Sequence, residues 1–195
     1  MGTEEIKYNV GRGIAPPVFT NGDEKMDYPQ RKRNRLKTYD YSTPGAYFIT
    51  ICTEGRRNTL CEIVGDGFPV LKLPGIVAEM VINRIPMKYP QVRIDHHVVM
   101  PNHIHMLLSI IDDSGTGNPS PTLGKIIGWY KYQVTKQINE KQGSEGNRFF
   151  QRSFHDHVIR SERDYQMIWQ YIEGNPMKWA EDCFYRKEGT DIYDK

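Results

Sequence analysis

Two histidines separated by a single residue are the part of this sequence best suited to chemistry. His103 and His105 lie in a stretch rich in β-branched and other apolar residues, and side chains two positions apart on a strand point to the same face. The two imidazoles would therefore project together, as a pair of metal ligands must. A purely structural role fits such a pair at least as often, and His155 and His157 form a second pair around the polar Asp156.

An amphipathic helix near the end of the chain offers two further reactive side chains, Tyr171 and Asn175. At about 100° per residue, these positions fall roughly 40° apart, at the edge of an apolar stripe. The stripe consists of Tyr165, Ile168, Trp169 and Ile172. A phenol can act as a nucleophile, and an amide oxygen is a hard ligand suited to magnesium or manganese. The same pattern also fits an ordinary amphipathic tyrosine at a helix boundary and an asparagine that caps the helix C-terminus.

The elements that would hold these residues follow the order β-α-β-β-α-β, with one further helix. Apolar patterning predicts strands at 47–52, 92–100, 103–110 and 154–159. It predicts helices at 75–89, 123–139 and 161–174, and loops at 65–74 and 112–121. Pro101 and Asn102 predict a tight turn between the middle strands, and Ser161 with Asp164 resembles a capping box in which Asp164 reaches back. This order is that of the ferredoxin-like split βαβ fold, an α+β antiparallel sheet with helices on one face and a C-terminal helix that carries Tyr171.

Charge and composition divide the chain into three parts. At 195 residues and a formal net charge of +2, we expect one domain at 39–185, a basic and poorly ordered arm at 1–38 and a tail at 186–195. The arm ends in five cations within seven residues: Arg31, Lys32, Arg33, Arg35 and Lys37. Such a cluster can neutralise phosphates and release counterions, and a solvated basic linker fits the pattern equally well.

Cysteine usage and hydropathy exclude several classes of protein. Cys52, Cys61 and Cys183 are widely spaced and form no CxxC pair, which argues against a disulfide framework and a zinc ribbon. No apolar run approaches the roughly 20 residues of a membrane span, and the first residues lack the order of a secretory signal. We therefore expect a cytoplasmic protein with no membrane partner.

Several spaced motifs together resemble one known family. The stretch from Met100 to Leu107, followed far downstream by Tyr171 to Pro176, resembles the single-tyrosine HUH transposases, and within them the REP-associated tyrosine transposases. The resemblance runs from about Tyr41 to about Trp179 and includes 150–162, which leads into the last helix. Motifs in the right order are much more specific than any one of them. The N-terminal arm and the segment 65–74 match nothing in the family.

The resemblance implies a metal-dependent endonuclease and strand transferase that cleaves single-stranded DNA next to a hairpin. His103 and His105 would be the HUH metal ligands and Asn175 the third, holding Mg²⁺ or Mn²⁺. Tyr171 would be the nucleophile, giving a 5′-phosphotyrosine intermediate and a free 3′-hydroxyl that can reverse the reaction on another strand. The implied partner is single-stranded or hairpin DNA, a REP-like element, bound by a monomer or a homodimer.

Substrate contacts are expected from cations that follow phosphates and from aromatic rings that stack on unpaired bases. The candidates are Arg31, Lys32, Arg33, Arg35, Lys37, Lys125, Trp129, Lys131, Lys136, Arg148 and Arg152. Tyr130 and Tyr132 are further aromatic candidates, although core packing is the better interpretation of Tyr130.

Two other functions remain open at this stage. One is a domesticated relative that binds hairpin DNA without cutting it. The presence of Tyr171, His103, His105 and Asn175 together favours the enzyme, because a decayed site would be free to lose any of them. The other is an unrelated metal hydrolase that uses the second histidine pair, which has no evident carboxylate partner beyond its middle residue.

Overall fold

The computed structural model describes residues 39–111 and 120–186, which form a sheet covered by helices on both faces. In chain order the elements are β1 (Gly45–Cys52), β2 (Cys61–Val64), β3 (Phe68–Leu71), α1 (Leu73–Ile82), α2 (Ile85–Lys88), β4 (Val92–Val99), β5 (His103–Ile110), α3 (Leu123–Gln142), β6 (His155–Val158) and α4 (Glu162–Gly174). Two short 3₁₀ helices lie at Glu54–Arg56 and Pro176–Glu181. No helix among these residues combines the length and the hydropathy needed to span a bilayer.

The main sheet has the strand order β4-β5-β1-β6, and every pairing in it is antiparallel. β1 lies inside the sheet and pairs with β5 along its whole length, from Gly45 opposite Ile110 to Cys52 opposite His103. The chain crosses from β1 to β4 through α1, and from β5 to β6 through α3. The predicted ferredoxin-like α+β fold is confirmed.

Alternation along β1 divides the interior into two cores. Tyr47, Ile49 and Ile51 point to the face covered by α1 and α3, where the main hydrophobic core lies. Phe48 points to the opposite face, where α4 packs and a smaller cluster forms. That cluster contains Phe48, Leu107, Ile168 and Ile172. The helices α1 and α3 therefore share one face, as expected, and the C-terminal helix lies alone on the other.

The segment 65–74, expected to be a loop, is largely structured. β2 and β3 pair as a separate two-stranded hairpin, and α1 already begins at Leu73. Gly65 and Gly67 have positive φ values of 53° and 102° and form the turn, a conformation that glycine adopts at little cost. Pro69 is compatible with β3 because a two-stranded hairpin has edges where no amide needs to donate. Because glycine and proline usually indicate a loop, the sequence pattern did not predict this hairpin.

Several helix boundaries differ from those expected. The helix predicted at 75–89 divides at Asn83 and Arg84 into α1 and α2, and α3 continues beyond 139 to Gln142. Ser161 caps α4 by accepting from the Asp164 backbone amide at 3.1 Å. The Asp164 carboxylate contacts His157 at 2.8 Å instead of reaching back, so the capping box is only half formed. The predicted arm at 1–38, most of the predicted loop at 112–121 and all but Arg186 of the predicted tail lie outside the described residues.

Candidate metal centre and active site

The two histidines of β5 form a buried pair on the face that α4 covers. His103 and His105 lie opposite Cys52 and Thr50 of β1, and both side chains are almost completely inaccessible to solvent. Their Nε2 atoms face each other at 3.0 Å. The pleat of β5 thus brings the imidazoles together as predicted, with Ile104 buried on the other side of the sheet.

Asn102, at the turn before β5, fixes the tautomer of His103. Its Nδ2 donates to the backbone carbonyls of Phe184 at 2.8 Å and Arg56 at 3.3 Å, which leaves its Oδ1 facing His103 Nδ1 at 2.9 Å. Because that oxygen only accepts, Nδ1 of the neutral ring must carry the proton and Nε2 must present a lone pair. The network therefore leaves a lone pair on His103 Nε2, the form that a metal ligand requires.

His105 has a more adaptable partner. Its Nδ1 lies 2.9 Å from Thr50 Oγ1, and a hydroxyl can donate or accept. Without a cation, His105 Nε2–H can donate to His103 Nε2. When Thr50 accepts instead, Nε2 of His105 also presents a lone pair. The ring can thus adopt the tautomer that a metal requires, with its orientation kept.

Burial keeps both imidazoles neutral. Desolvation lowers the pKa of His103 well below its ordinary value, and the neighbouring His105 and then Arg56 lower it further. Desolvation likewise lowers the pKa of His105 to about 3, although a hydrogen bond to the Ile49 backbone opposes the shift. Both rings are therefore unprotonated at neutral pH, which is the state in which imidazole binds metal ions.

A carboxylate that the sequence analysis did not identify completes this group. One oxygen of Asp182 and one nitrogen each of His103 and His105 all lie within 4.8 Å of one another. In the described parts of the chain, no other group of histidine, cysteine or acidic side chains has this spacing. The Phe184 amide donates to Asp182 Oδ1 at 2.6 Å and so orients the carboxylate.

Asn175, the predicted third ligand, lies beside that carboxylate. It follows α4 directly and is buried, and its Nδ2 donates to Asp182 Oδ2 at 2.9 Å. Its Oδ1 is a buried acceptor with no hydrogen-bond partner among the described residues, an arrangement that is costly without a ligand. Two imidazole nitrogens, a carboxylate and an unpaired amide oxygen fit a divalent cation that takes nitrogen and oxygen ligands.

Tyr171 lies at the edge of this group. Its Oη is 3.4 Å from His105 Nε2, and its ring packs edge-on against His105 and against Phe48, with centroids at 5.3 Å and 5.9 Å. The side chain is half-buried, so it contacts the small cluster on one side and retains access to solvent. The last turn of α4 thus brings a phenol directly to the buried imidazole pair.

Four of the predicted DNA-binding residues share one groove of about 910 Å³ along α3 and the segment that follows it. They are Lys131, Lys136, Arg148 and Arg152. Lys131 Nζ donates to the carbonyls of Arg152 and Ser153, at 3.1 Å and 3.4 Å, and Lys136 pairs with Glu140 at 3.8 Å. Arg148 and Arg152 form no ion pair with any described residue. The two arginines are thus the better candidates for phosphate contacts.

The remaining predicted contacts are dispersed. Lys125 is exposed outside that groove, and Trp129 is half-buried against Tyr89, with ring centroids 6.0 Å apart. Tyr130 is fully buried and donates to the Ala78 carbonyl at 3.4 Å, which confirms its interpretation as a core residue. The basic cluster lies outside the described residues; it comprises Arg31, Lys32, Arg33, Arg35 and Lys37.

The second histidine pair does not form a comparable site. His155 and His157 lie on β6 with exposed side chains, and His157 Nε2 contacts Asp164 Oδ2 at 2.8 Å. Neither belongs to a possible metal-ligand group of the described residues. The geometry therefore gives no support to a hydrolase built on these two residues.

Comparison with known proteins identifies the family. Residues 76–175 match the family of IS200-like transposases. An uncharacterised protein of Haemophilus influenzae is 35% identical over 170 residues, covering 80% of this chain and 93% of that protein. A second H. influenzae protein, provisionally named a REP-associated tyrosine transposase, is 22% identical over 172 residues, covering 79% of this chain and 88% of its own length.

Among solved structures, a REP-associated tyrosine transposase bound to a REP hairpin shares 22% of its sequence with this chain at a TM-score of 0.49, covering 74% of this chain and 72% of that one. The family match takes in more than half of the 195 residues, and both β5 histidines, Tyr171 and Asn175 lie inside it. The chain therefore belongs to the family of IS200-like transposases.

Proposed function

We propose that this protein is a metal-dependent endonuclease and strand transferase that cleaves single-stranded DNA beside a hairpin through a 5′-phosphotyrosine intermediate. The observation that supports this most is the contact between a phenol and a buried imidazole pair, Tyr171 Oη lying 3.4 Å from His105 Nε2. A nucleophile held against metal-binding nitrogens is the arrangement that such a transfer needs. Membership of a transposase family agrees with it.

His103, His105 and Asp182 would hold the cation, with the unpaired Oδ1 of Asn175 as a fourth donor. The oxygen donors favour Mg²⁺ or Mn²⁺. When bound, such an ion supplies Lewis-acid polarisation of the scissile phosphate. Asn102 keeps the proton on His103 Nδ1 and so leaves Nε2 available, while Asp182 accepts from Asn175 Nδ2 and the buried amide oxygen keeps no hydrogen-bond partner.

Tyr171 would carry out the bond exchange. Its Oη attacks the phosphorus, the bond from phosphorus to the 3′-oxygen breaks, the phenolic proton leaves and the 3′-oxygen takes up a proton. The products are a tyrosyl 5′-phosphate ester and a free 3′-hydroxyl, and attack by such a hydroxyl on the ester restores the phenol and a phosphodiester. Because a phenol carries its proton at neutral pH, the proton must be lost during the attack. Packing against Phe48 and His105 fixes the ring for this step.

We propose single-stranded or hairpin DNA as the partner, bound by a monomer or a homodimer in the cytoplasm. A relative of the chain carries the provisional name of a REP-associated tyrosine transposase, and a REP-like hairpin is the corresponding substrate class. Arg148 and Arg152 offer unpaired cations in a groove that extends along α3, suited to a phosphate backbone.

Covalent adduct formation tests the proposal. The protein is incubated with a panel of single-stranded oligonucleotides that carry hairpins, with Mn²⁺ or Mg²⁺, and separated on a denaturing gel. We expect a protein–DNA adduct that disappears in Tyr171→Phe and with a chelator. Tyr165→Phe, on the same helix, is the matched control and should keep the adduct.

An adduct that persists in Tyr171→Phe would show that the nucleophile is another residue. Tight hairpin binding without an adduct across the whole panel would favour a DNA-binding protein that has lost cleavage. The two outcomes differ in whether DNA is bound, which a native gel on the same samples measures.

A further inference from the structure

Arg56 occupies an unusual position beside the buried imidazole pair. It ends the short 3₁₀ helix that follows β1. Its φ of 54° is the single positive value recorded for a non-glycine residue within the described ranges. Such a conformation is unfavourable for a residue with a Cβ atom and is retained where the surrounding structure fixes it.

The backbone of Arg56 is tied to the metal-binding histidines through one side chain. The Arg56 carbonyl accepts from Asn102 Nδ2 at 3.3 Å, and Asn102 Oδ1 in turn accepts from His103 Nδ1 at 2.9 Å. The Arg56 amide donates to the Thr53 carbonyl at 3.0 Å. The conformation of the turn at Arg56 and the tautomer of His103 therefore depend on the same asparagine.

The side chain of Arg56 brings a positive charge to the site. Its guanidinium carbon lies 5.0 Å from the centroid of the Phe184 ring, and that ring lies 4.6 Å from the His103 ring. After burial and His105, Arg56 is the third contribution to the lowered pKa of His103.

This charge has no counter-ion among the described residues. None of the ion pairs in them involves Arg56, although its side chain is partly withdrawn from solvent. A guanidinium beside a cation site is repelled when that site is filled, unless an anion lies between the two charges. The arrangement is suited to an anion that would bridge a metal ion and an arginine.

We propose that Arg56 binds the non-bridging oxygens of the scissile phosphate. This inference rests on the proposed function. Tyr171 contacts His105, whereas Arg56 contacts the Phe184 ring that packs against His103, so a phenol and a guanidinium both belong to the immediate surroundings of the imidazole pair. The planar fork of an arginine matches two phosphate oxygens, and it stabilises the negative charge that grows on them during attack.

Four variants separate this role from simple packing against the aromatic ring. Arg56→Gln removes the charge, Arg56→Lys keeps it, Arg56→Gly removes it while relieving the positive φ, and Phe184→Leu removes the ring under the guanidinium. With the hairpin oligonucleotide that the wild type converts to an adduct, we expect Arg56→Gln and Arg56→Gly to slow adduct formation about 100-fold. We expect Arg56→Lys to recover a substantial part of that rate. Thermal melts identify the folded variants, and Arg56→Gly should remain folded even if Arg56→Gln does not.

A second measurement does not depend on turnover. In chelator and in a Tyr171→Phe background, the affinity for that oligonucleotide is compared with the affinity for one whose scissile phosphate is replaced by an uncharged methylphosphonate. Loss of the phosphate charge should weaken binding when Arg56 is present and have no effect in Arg56→Gln. Mn²⁺ affinity should not fall in Arg56→Gln, because the variant removes only a repelling charge.

Other outcomes overturn the inference. Equal adduct rates in the wild type and in folded Arg56→Gln or Arg56→Gly would exclude a phosphate contact and leave the proposed function intact. A loss in Phe184→Leu as large as in Arg56→Gln, with no recovery in Arg56→Lys, would assign Arg56 to packing. Absence of an adduct in the wild type would instead contradict the proposed function, and this inference with it.

Discussion

Replacing Asn102 with alanine tests whether this residue orients His103, a proposed metal ligand. The side chain is fully buried and forms three hydrogen bonds, with the carbonyls of Arg56 and Phe184 and with His103 Nδ1. At roughly 1 kcal/mol for each bond, Asn102→Ala should lower the free energy of unfolding by about 3 kcal/mol. The cavity left by the shorter side chain at this buried turn adds to that loss.

The effect on metal binding follows from the tautomer. Without an acceptor at Nδ1, His103 is free to move its proton to Nε2, the nitrogen that faces the cation site. Removing such a supporting hydrogen bond typically weakens metal affinity about 10- to 100-fold. Asn102→Asp is the matched control because it keeps an acceptor for His103 while losing both donors. It should lose stability and keep its metal affinity.

Two measurements on the same samples decide the matter. Urea unfolding in chelator gives the stability of each variant, and titration with Mn²⁺, followed by the electron paramagnetic resonance signal of the free ion, gives the affinity. The titration is made under conditions where each variant is folded. If Asn102→Ala binds Mn²⁺ as tightly as the wild type, the orienting role assigned to Asn102 is wrong.

Three further changes have defined outcomes. Folding lowers the pKa of His103 and His105, so the unfolded chain binds more protons than the folded chain below pH 6.5. The free energy of unfolding in chelator should therefore fall by about 1 kcal/mol per histidine per pH unit down to pH 5. A His105→Gln variant with the same slope would contradict this. Gly75→Ala places a Cβ 2.2 Å from the Leu60 carbonyl oxygen and should lower the thermal midpoint sharply, whereas Gly128→Ala, with open space, should not. Ser161→Ala should cost about 1 kcal/mol in urea unfolding, and an unchanged midpoint would contradict the capping role.

Local signals in the sequence determine much of the fold. Two β-rich segments flank a turn at Pro101 and Asn102, and the pleat of the second alone brings His103 and His105 to one face. Helix periodicity likewise locates α3 and α4. The position of Tyr171 follows from the same periodicity once α4 is known to pack against the histidine face. These features depend on residues near one another in the chain.

Other parts of the site depend on contacts between distant residues, which local patterns do not reveal. Asp182 lies in an irregular stretch after α4 and meets the histidines only because the 3₁₀ helix at Pro176–Glu181 returns the chain towards β5. The double donation by Asn102 to the carbonyls of Arg56 and Phe184 joins three segments. In the sequence, Asn102 is simply a favourable turn residue.

The division of the interior into two cores has a consequence for motion. α4 is anchored by the four-residue cluster of Phe48, Leu107, Ile168 and Ile172, while the sheet is held mainly by the larger core on its other face. We therefore expect α4 to open as a separate unit at a lower free energy than the whole domain, with backbone amides that exchange deuterium before those of β1 and β5. Tyr171, the proposed nucleophile, lies on this helix, so such opening would admit the proposed DNA strand while the sheet stays folded.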